Sequence, residues 1–110
     1  MNIENIHEVT IFTDHIRVEH VDRIEQEEGA DPNTSTDGAY DPVRHAITLS
    51  RTCHGEQMTA ADRCRTFYHE LIHAALAVGY YQAYDNEQLA EWMANVLIAF
   101  REQGIFDIDY

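Results

Sequence analysis

Residues 59–79 read TAADRCRTFYHELIHAALAVG, and this stretch decides the architecture of the second half of the chain. Thr59 precedes Asp62 by three residues, a capping box in which Asp replaces the longer Glu. Cys64, Phe67, Tyr68, Leu71, Ile72 and Ala75 then recur at steps of three and four, the period of one helix face, until Gly79. The spacing predicts a helix from just after Thr59 to Gly79. Downstream, Asp85 with Gln88 three residues on opens a second helix that runs to near Gly104. Its Leu89, Trp92, Met93, Val96 and Phe100 form a wide core stripe.

Upstream the period changes from helical to alternating. Val9, Ile11 and Thr13 alternate with Thr10 and Phe12, Asp14-His15 supplies a turn, and residues 16–21 alternate again. Ile16, His20 and Ile24 also repeat at four, so a helix over 16–28 competes; the alternation favours strand. Residues 29–42 read as loop, because Asp31-Pro32, Asp37-Gly38 and Asp41-Pro42 are all turn formers. A short strand is expected over 46–50. The sum is an α+β domain over 1–110, a small, mostly antiparallel sheet packed on two helices, at a length that fits one domain.

Charge narrows the partners. Twenty acidic residues against seven basic ones give a net charge of −13, and all seven basic residues are Arg. Such a surface repels phosphate backbones and anionic lipid, which argues against nucleic acid and membranes as partners. No stretch approaches the roughly 20 apolar residues of a membrane span. The first residues lack the basic start and apolar run of a signal peptide, so the expected compartment is the cytoplasm. Cys53 and Cys64 fit its reducing conditions.

The chemistry sits inside the first helix, in His69-Glu70-Leu71-Ile72-His73. Histidines four apart are separated by about 40° around a helix, so both rings reach one point. Neutral imidazoles at that spacing suit tetrahedral Zn²⁺. Glu70 projects roughly 100° from His69 and 60° from His73, too displaced for a third ligand but well placed to take a proton from a water activated by the metal. A shuffled chain of this composition holds such a motif with a probability of roughly 0.04, so its place mid-helix adds weight. The competing reading is two partly buried histidines on an amphipathic helix.

A catalytic zinc wants a third protein ligand and one open position. After His73 the chain has no His or Cys, so a following ligand is a carboxylate, Glu87 or Glu91. With the two helices antiparallel, Glu91 falls nearly level with the His pair and Glu87 about 6 Å higher. Glu91 shares a face with Ala94 and Ile98, an apolar strip costly for an unpaired carboxylate. Glu87 lies in the first turn, where the helix dipole alone explains it. This ranks Glu91 first.

At these residues the chain resembles the gluzincins, zinc peptidases with an HExxH helix and a glutamate helix. More narrowly it is similar to the small phage-associated minigluzincin group related to ImmA/IrrE proteins. The stretch from Thr66 to Ala74 fits the "T-aromatic-x-HELxHA" helix of that group, and Glu91-Trp92-Met93-Ala94-Asn95 fits its "ExxAN" helix. Asp37-Gly38-Ala39-Tyr40-Asp41 followed by Ile47-Thr48-Leu49 resembles the turn and edge strand before the active-site helix. The likeness runs over about residues 16–103, specific at the two helices and loose before them.

The resemblance implies a minimal zincin-like fold with His69, His73 and Glu91 as zinc ligands and Glu70 as general base. It also implies an edge strand, at about 46–50, holding an extended protein or peptide substrate by strand addition. Relatives cleave particular regulators, such as phage repressors. The residue that steadies the reaction intermediate is left among Tyr40, His45 and Tyr84.

Other features have plainer readings. Cys53, His54 and Cys64 are a loop pair and a core cysteine rather than a second zinc site. Residues 25–28 are a solvated acidic run, Tyr80, Tyr81 and Tyr84 cover the core or line a substrate groove, and Asn33-Thr34-Ser35 is a chance sequon. Two functions follow from different classes: a zinc-dependent metallopeptidase acting on a specific protein, or a catalytically silent, zinc-stabilised binding module with a peptidase-like fold. An exposed edge strand would also offer a pairing surface between subunits.

Overall fold

The computed structural model describes residues 1–24, 37–79 and 86–109. Asn2 caps a 3-10 turn at Ile3–Asn5, its side chain accepting from the Glu4 N–H. There follow β1 (Glu8–Ile11), β2 (Asp14–Val21), β3 (Gly38–Asp41), β4 (Ala46–Ser50), the short hairpin strands β5 (Thr52–Cys53) and β6 (Glu56–Gln57), α1 (Ala60–Val78) and α2 (Asn86–Glu102). The expected α+β fold is present, a four-stranded sheet packed against two helices. The sheet order is β1-β2-β4-β3. β1/β2 and β3/β4 are antiparallel, and β2/β4 is parallel.

Three readings of the first half need correction. The first turn is Phe12-Thr13, not Asp14-His15: Ile11 pairs with Asp14 and Val9 with Ile16, a two-residue hairpin in which Phe12 takes φ 55°. β3 occupies part of the stretch read as loop. Its Asp-Gly and Asp-Pro turn formers bound a four-residue strand instead of filling it. Finally, β4 lies between β2 and β3, so the sheet edge near the helix is β3 and not 46–50. Burial marks the difference, since β4 is buried at Ala46, Ile47, Leu49 and Ser50, whereas β3 is half-buried or exposed throughout. The competing helix is excluded over residues 16–21, which are strand.

The two sheet edges are treated differently. At β1, the Gln103 side chain just past α2 acts as a substitute strand: its Nε2 donates to the Thr10 carbonyl at 2.7 Å and its Oε1 accepts from the Thr10 N–H at 2.8 Å. β3 runs beside α1 at the candidate site. Gly38 makes that approach possible, because a β-carbon there would collide with Thr66 Cγ2.

α1 begins as the sequence predicts, with Thr59 Oγ1 accepting from the Asp62 N–H at 3.1 Å, and ends at Gly79. It lies across β3 and β4, burying Cys64, Phe67, Leu71, Ala74 and Ala75, while α2 packs chiefly on β1 through Val96 and Phe100. Beneath α1, the buried Arg63 guanidinium is held by Glu4, His20 Nδ1 and the Ser50 carbonyl. The start of the second helix at Asp85, the tyrosines 80, 81 and 84, the acidic run 25–28 and the Asn33 sequon lie outside the described residues.

Candidate metal centre

One exposed flank of α1 carries His69 and His73, their Nε2 atoms 3.1 Å apart and the ring centroids 4.8 Å apart. Two nitrogens bound at about 2.05 Å to one tetrahedral centre stand about 3.3 Å apart, so the pair already has ligand spacing. Neighbouring α1 residues explain why the rings stay outward. Leu71 and Ala74 take the core positions, leaving 69 and 73 on the opposite side of the helix.

Glu70 points the other way round the helix, toward β3, and is only 7% exposed. Burial pushes its carboxyl above the usual carboxylate range, and Asp37 reinforces the shift; His73, His69 and a hydrogen bond from the Tyr40 backbone oppose it. Asp37 is held in place by accepting from Thr66 Oγ1 at 3.0 Å. The carboxylate is thus dry, close to both imidazoles and in touch with the edge strand.

Glu70 is also where two clefts meet. One of about 500 Å³ is lined by Asp37, Gly38, Cys53, Met58, Thr66 and His69 among others; the second, of about 430 Å³, by Ala39, Tyr40, Pro42, His73 and Ala77. They follow β3 on either side of the motif. Of the residues considered for steadying an intermediate, Tyr40 lines the second cleft, whereas His45 stands exposed in the β3–β4 turn at φ 50°. Asp37 and Thr66 were missed as site residues, since sequence spacing gives no sign that position 37 lies beside position 66.

Glu91 is not gathered in. Among the described residues, no third His, Cys, Asp or Glu joins others in a group that could hold a metal ion. Both arguments that ranked Glu91 first fail in this arrangement. Glu91, Ala94 and Ile98 are all exposed, so the strip is not a dry surface. Nor does α2 descend α1 at the assumed level. Trp92 packs on Gly79 and donates to the Ala75 carbonyl at 2.9 Å, about one to two turns beyond Leu71, where the simple count set it. Glu87 is exposed too. The residues present therefore fit a divalent metal as two ligands and a neighbouring base, and the set is one ligand short.

The cysteines stand apart, Cys64 in the core with its thiol pushed up by burial and Cys53 on the first cleft. No helix among the described residues is long and apolar enough to cross a membrane. Compared with known proteins, the chain matches no family model, no curated protein and no solved structure.

Proposed function

We propose that the chain is a zinc-dependent peptidase acting in the cytoplasm on a specific protein, with His69 and His73 as metal ligands and Glu70 as general base. The observation that carries this reading is the convergence of the two Nε2 atoms at 3.1 Å beside a buried carboxylate on the sheet edge. A zinc ion held by such residues supplies a Lewis acid and a more acidic water. The chain's own residues do the remainder. β3 offers backbone groups to an extended peptide, and the clefts on either side of Glu70 take its side chains. Glu70, shielded from bulk water, accepts a proton and returns it to the leaving amine. The acidic surface favours a basic or neutral partner.

One observation favours a second reading, a silent binding module: the ligand set is incomplete among the described residues. The experiment that separates the two compares wild type with Glu70→Gln after zinc loading. The peptidase reading expects about one zinc per chain in both and cleavage of a co-expressed protein partner by wild type alone. Equal zinc and equal partner binding with no cleavage by either protein would establish the module instead.

A further inference from the structure

Helix α2 turns an apolar stripe to water on the side away from its core contacts. With Ala94 as the centre, Glu87, Ala90, Leu97, Ile98 and Arg101 all lie within about 60° of it on the helical wheel, and all are exposed. Trp92, Val96 and Phe100, which pack inward, lie about 120° to 160° round the helix. Leu97 is 50% exposed and Ile98 57%.

The two ends of the stripe carry opposite charge, Glu87 in the first turn of α2 and Arg101 in the last. The helix dipole favours each where it stands. It gives no reason for Ala90, Ala94, Leu97 and Ile98 to face water between them. Arg101 is also set apart in this acidic chain. Arg17, Arg44, Arg51, Arg63 and Arg65 each pair with a carboxylate, whereas neither Arg101 nor Glu87 makes an ion pair among the described residues.

We propose that α2 is the contact between two copies of this chain, packed antiparallel about a two-fold axis at Ala94. Ala94 is the midpoint of Asn86–Glu102, so the two helices overlap along their whole length. Residues equidistant from Ala94 meet across the axis, Ala90 with Ile98 and Glu87 with Arg101, each pair formed twice. Alanine at the axis lets the helices approach to about 8 Å, and the small Ala90 makes room for Ile98. Glu91 stays at the rim. The end charges select the antiparallel sense, since a parallel pair would set Glu87 on Glu87 and Arg101 on Arg101. α2 packs on β1, at the opposite end of the sheet from β3, so the pairing leaves the β3 edge open. It is independent of the metal and of the peptidase reading.

Two chains of net charge −13 repel each other, a repulsion screened beyond about 8 Å at 0.15 M salt. One helix face a side buries less than about 1,200 Å² in total, so the expected dissociation constant is roughly tens of micromolar.

Sedimentation velocity at 0.15 M salt, with a chelator present so that no metal bridges exposed histidines, follows the wild type over rising concentration. A reversible monomer–dimer equilibrium is expected. Arg101→Glu and Glu87→Arg, each checked for folding by circular dichroism, should each weaken it at least tenfold, because attraction becomes repulsion at both ends. Ala94→Glu, which sets two carboxylates on the axis at an exposed helical position, should abolish it. An equimolar mixture of the two charge variants restores both unlike pairs in a mixed dimer, and the double variant Glu87→Arg/Arg101→Glu restores them in its own. Both should return to within about threefold of wild type. A wild type that stays monomeric up to about 1 mM overturns the proposal. So does a dimer indifferent to Ala94→Glu. Single variants that weaken but are not restored by mixing or by the double swap overturn the antiparallel pairing.

Discussion

Thr66 Cγ2 stands where a β-carbon on Gly38 would have to be, so strand β3 and helix α1 touch at a point that admits no side chain. The contact sets the distance between the edge strand and Glu70, one turn along the same helix. Gly38→Ala is expected to lower stability by about 1–3 kcal/mol, the cost of overpacking a close-packed contact. Removing the opposing methyl with Thr66→Ser should restore most of the loss. Thermal unfolding of the two single variants and the double variant measures it; additive losses would show that the strain lies elsewhere.

Glu70 gives up stability at the candidate site. Its folded-state pKa is raised, chiefly by burial, so its contribution is most favourable at low pH, where the group is protonated in both states. That contribution is lost as pH rises through the folded value, and the ionised carboxylate then weakens the fold. Glu70→Gln should therefore unfold at a higher temperature than metal-free wild type at pH 7, with the gap closing as pH falls through the carboxylate range. A gap that persists unchanged at pH 3 would assign the effect to packing rather than charge.

What could be read from the sequence divides by range of interaction. Thr59 and Gly79 delimit α1 because capping and helix termination are local, and the four-residue spacing of His69 and His73 fixes their convergence without reference to anything distant. β3 was hidden because its four residues lie between turn formers and its partner strand follows a further turn. The edge position passed from 46–50 to 38–41 because strand order depends on a parallel pairing between β2 and β4, which no local pattern announces. Glu91 was ranked by supposing that two consecutive helices lie face to face. Trp92, large and able to bond the Ala75 carbonyl, sets a different rotation. The strip of Ala94 and Ile98 beside Glu91 is exposed rather than dry, and helical periodicity alone does not say which neighbour covers it.

Gln103 closes the β1 edge with a pair of side-chain hydrogen bonds to Thr10, and its removal has two separable consequences. Gln103→Ala leaves one backbone donor and one acceptor to water, which should cost about 1–2 kcal/mol in chemical unfolding. It also frees a strand edge of the kind that templates pairing between chains. Sedimentation velocity at rising concentration should show self-association of the variant beyond that of wild type. A destabilised variant no more associated than wild type would mean that α2 alone shields the edge.

Glu4 ties the amino-terminal turn to the rest of the fold, accepting from Arg51 Nε at 2.9 Å and pairing with the buried Arg63 guanidinium. The hydrogen bond from Arg51 is the largest influence on its carboxyl; burial opposes it, and Arg63 and His20 add to the lowering. The result is a pKa of about 2, against 4.5 for the free group. A depressed carboxylate stabilises the folded state above its unfolded pKa and ceases to do so as pH falls through the folded one. The window of loss is thus about pH 4.5 down to about 2. Glu4→Gln should cost about 1–2 kcal/mol at pH 7, held to that range because the side chain is about a third exposed and partly screened. Urea unfolding from pH 7 to 2 should show the two proteins converging across this window. Curves that stay parallel to pH 2 would mean that Glu4 is held by shape and not by charge.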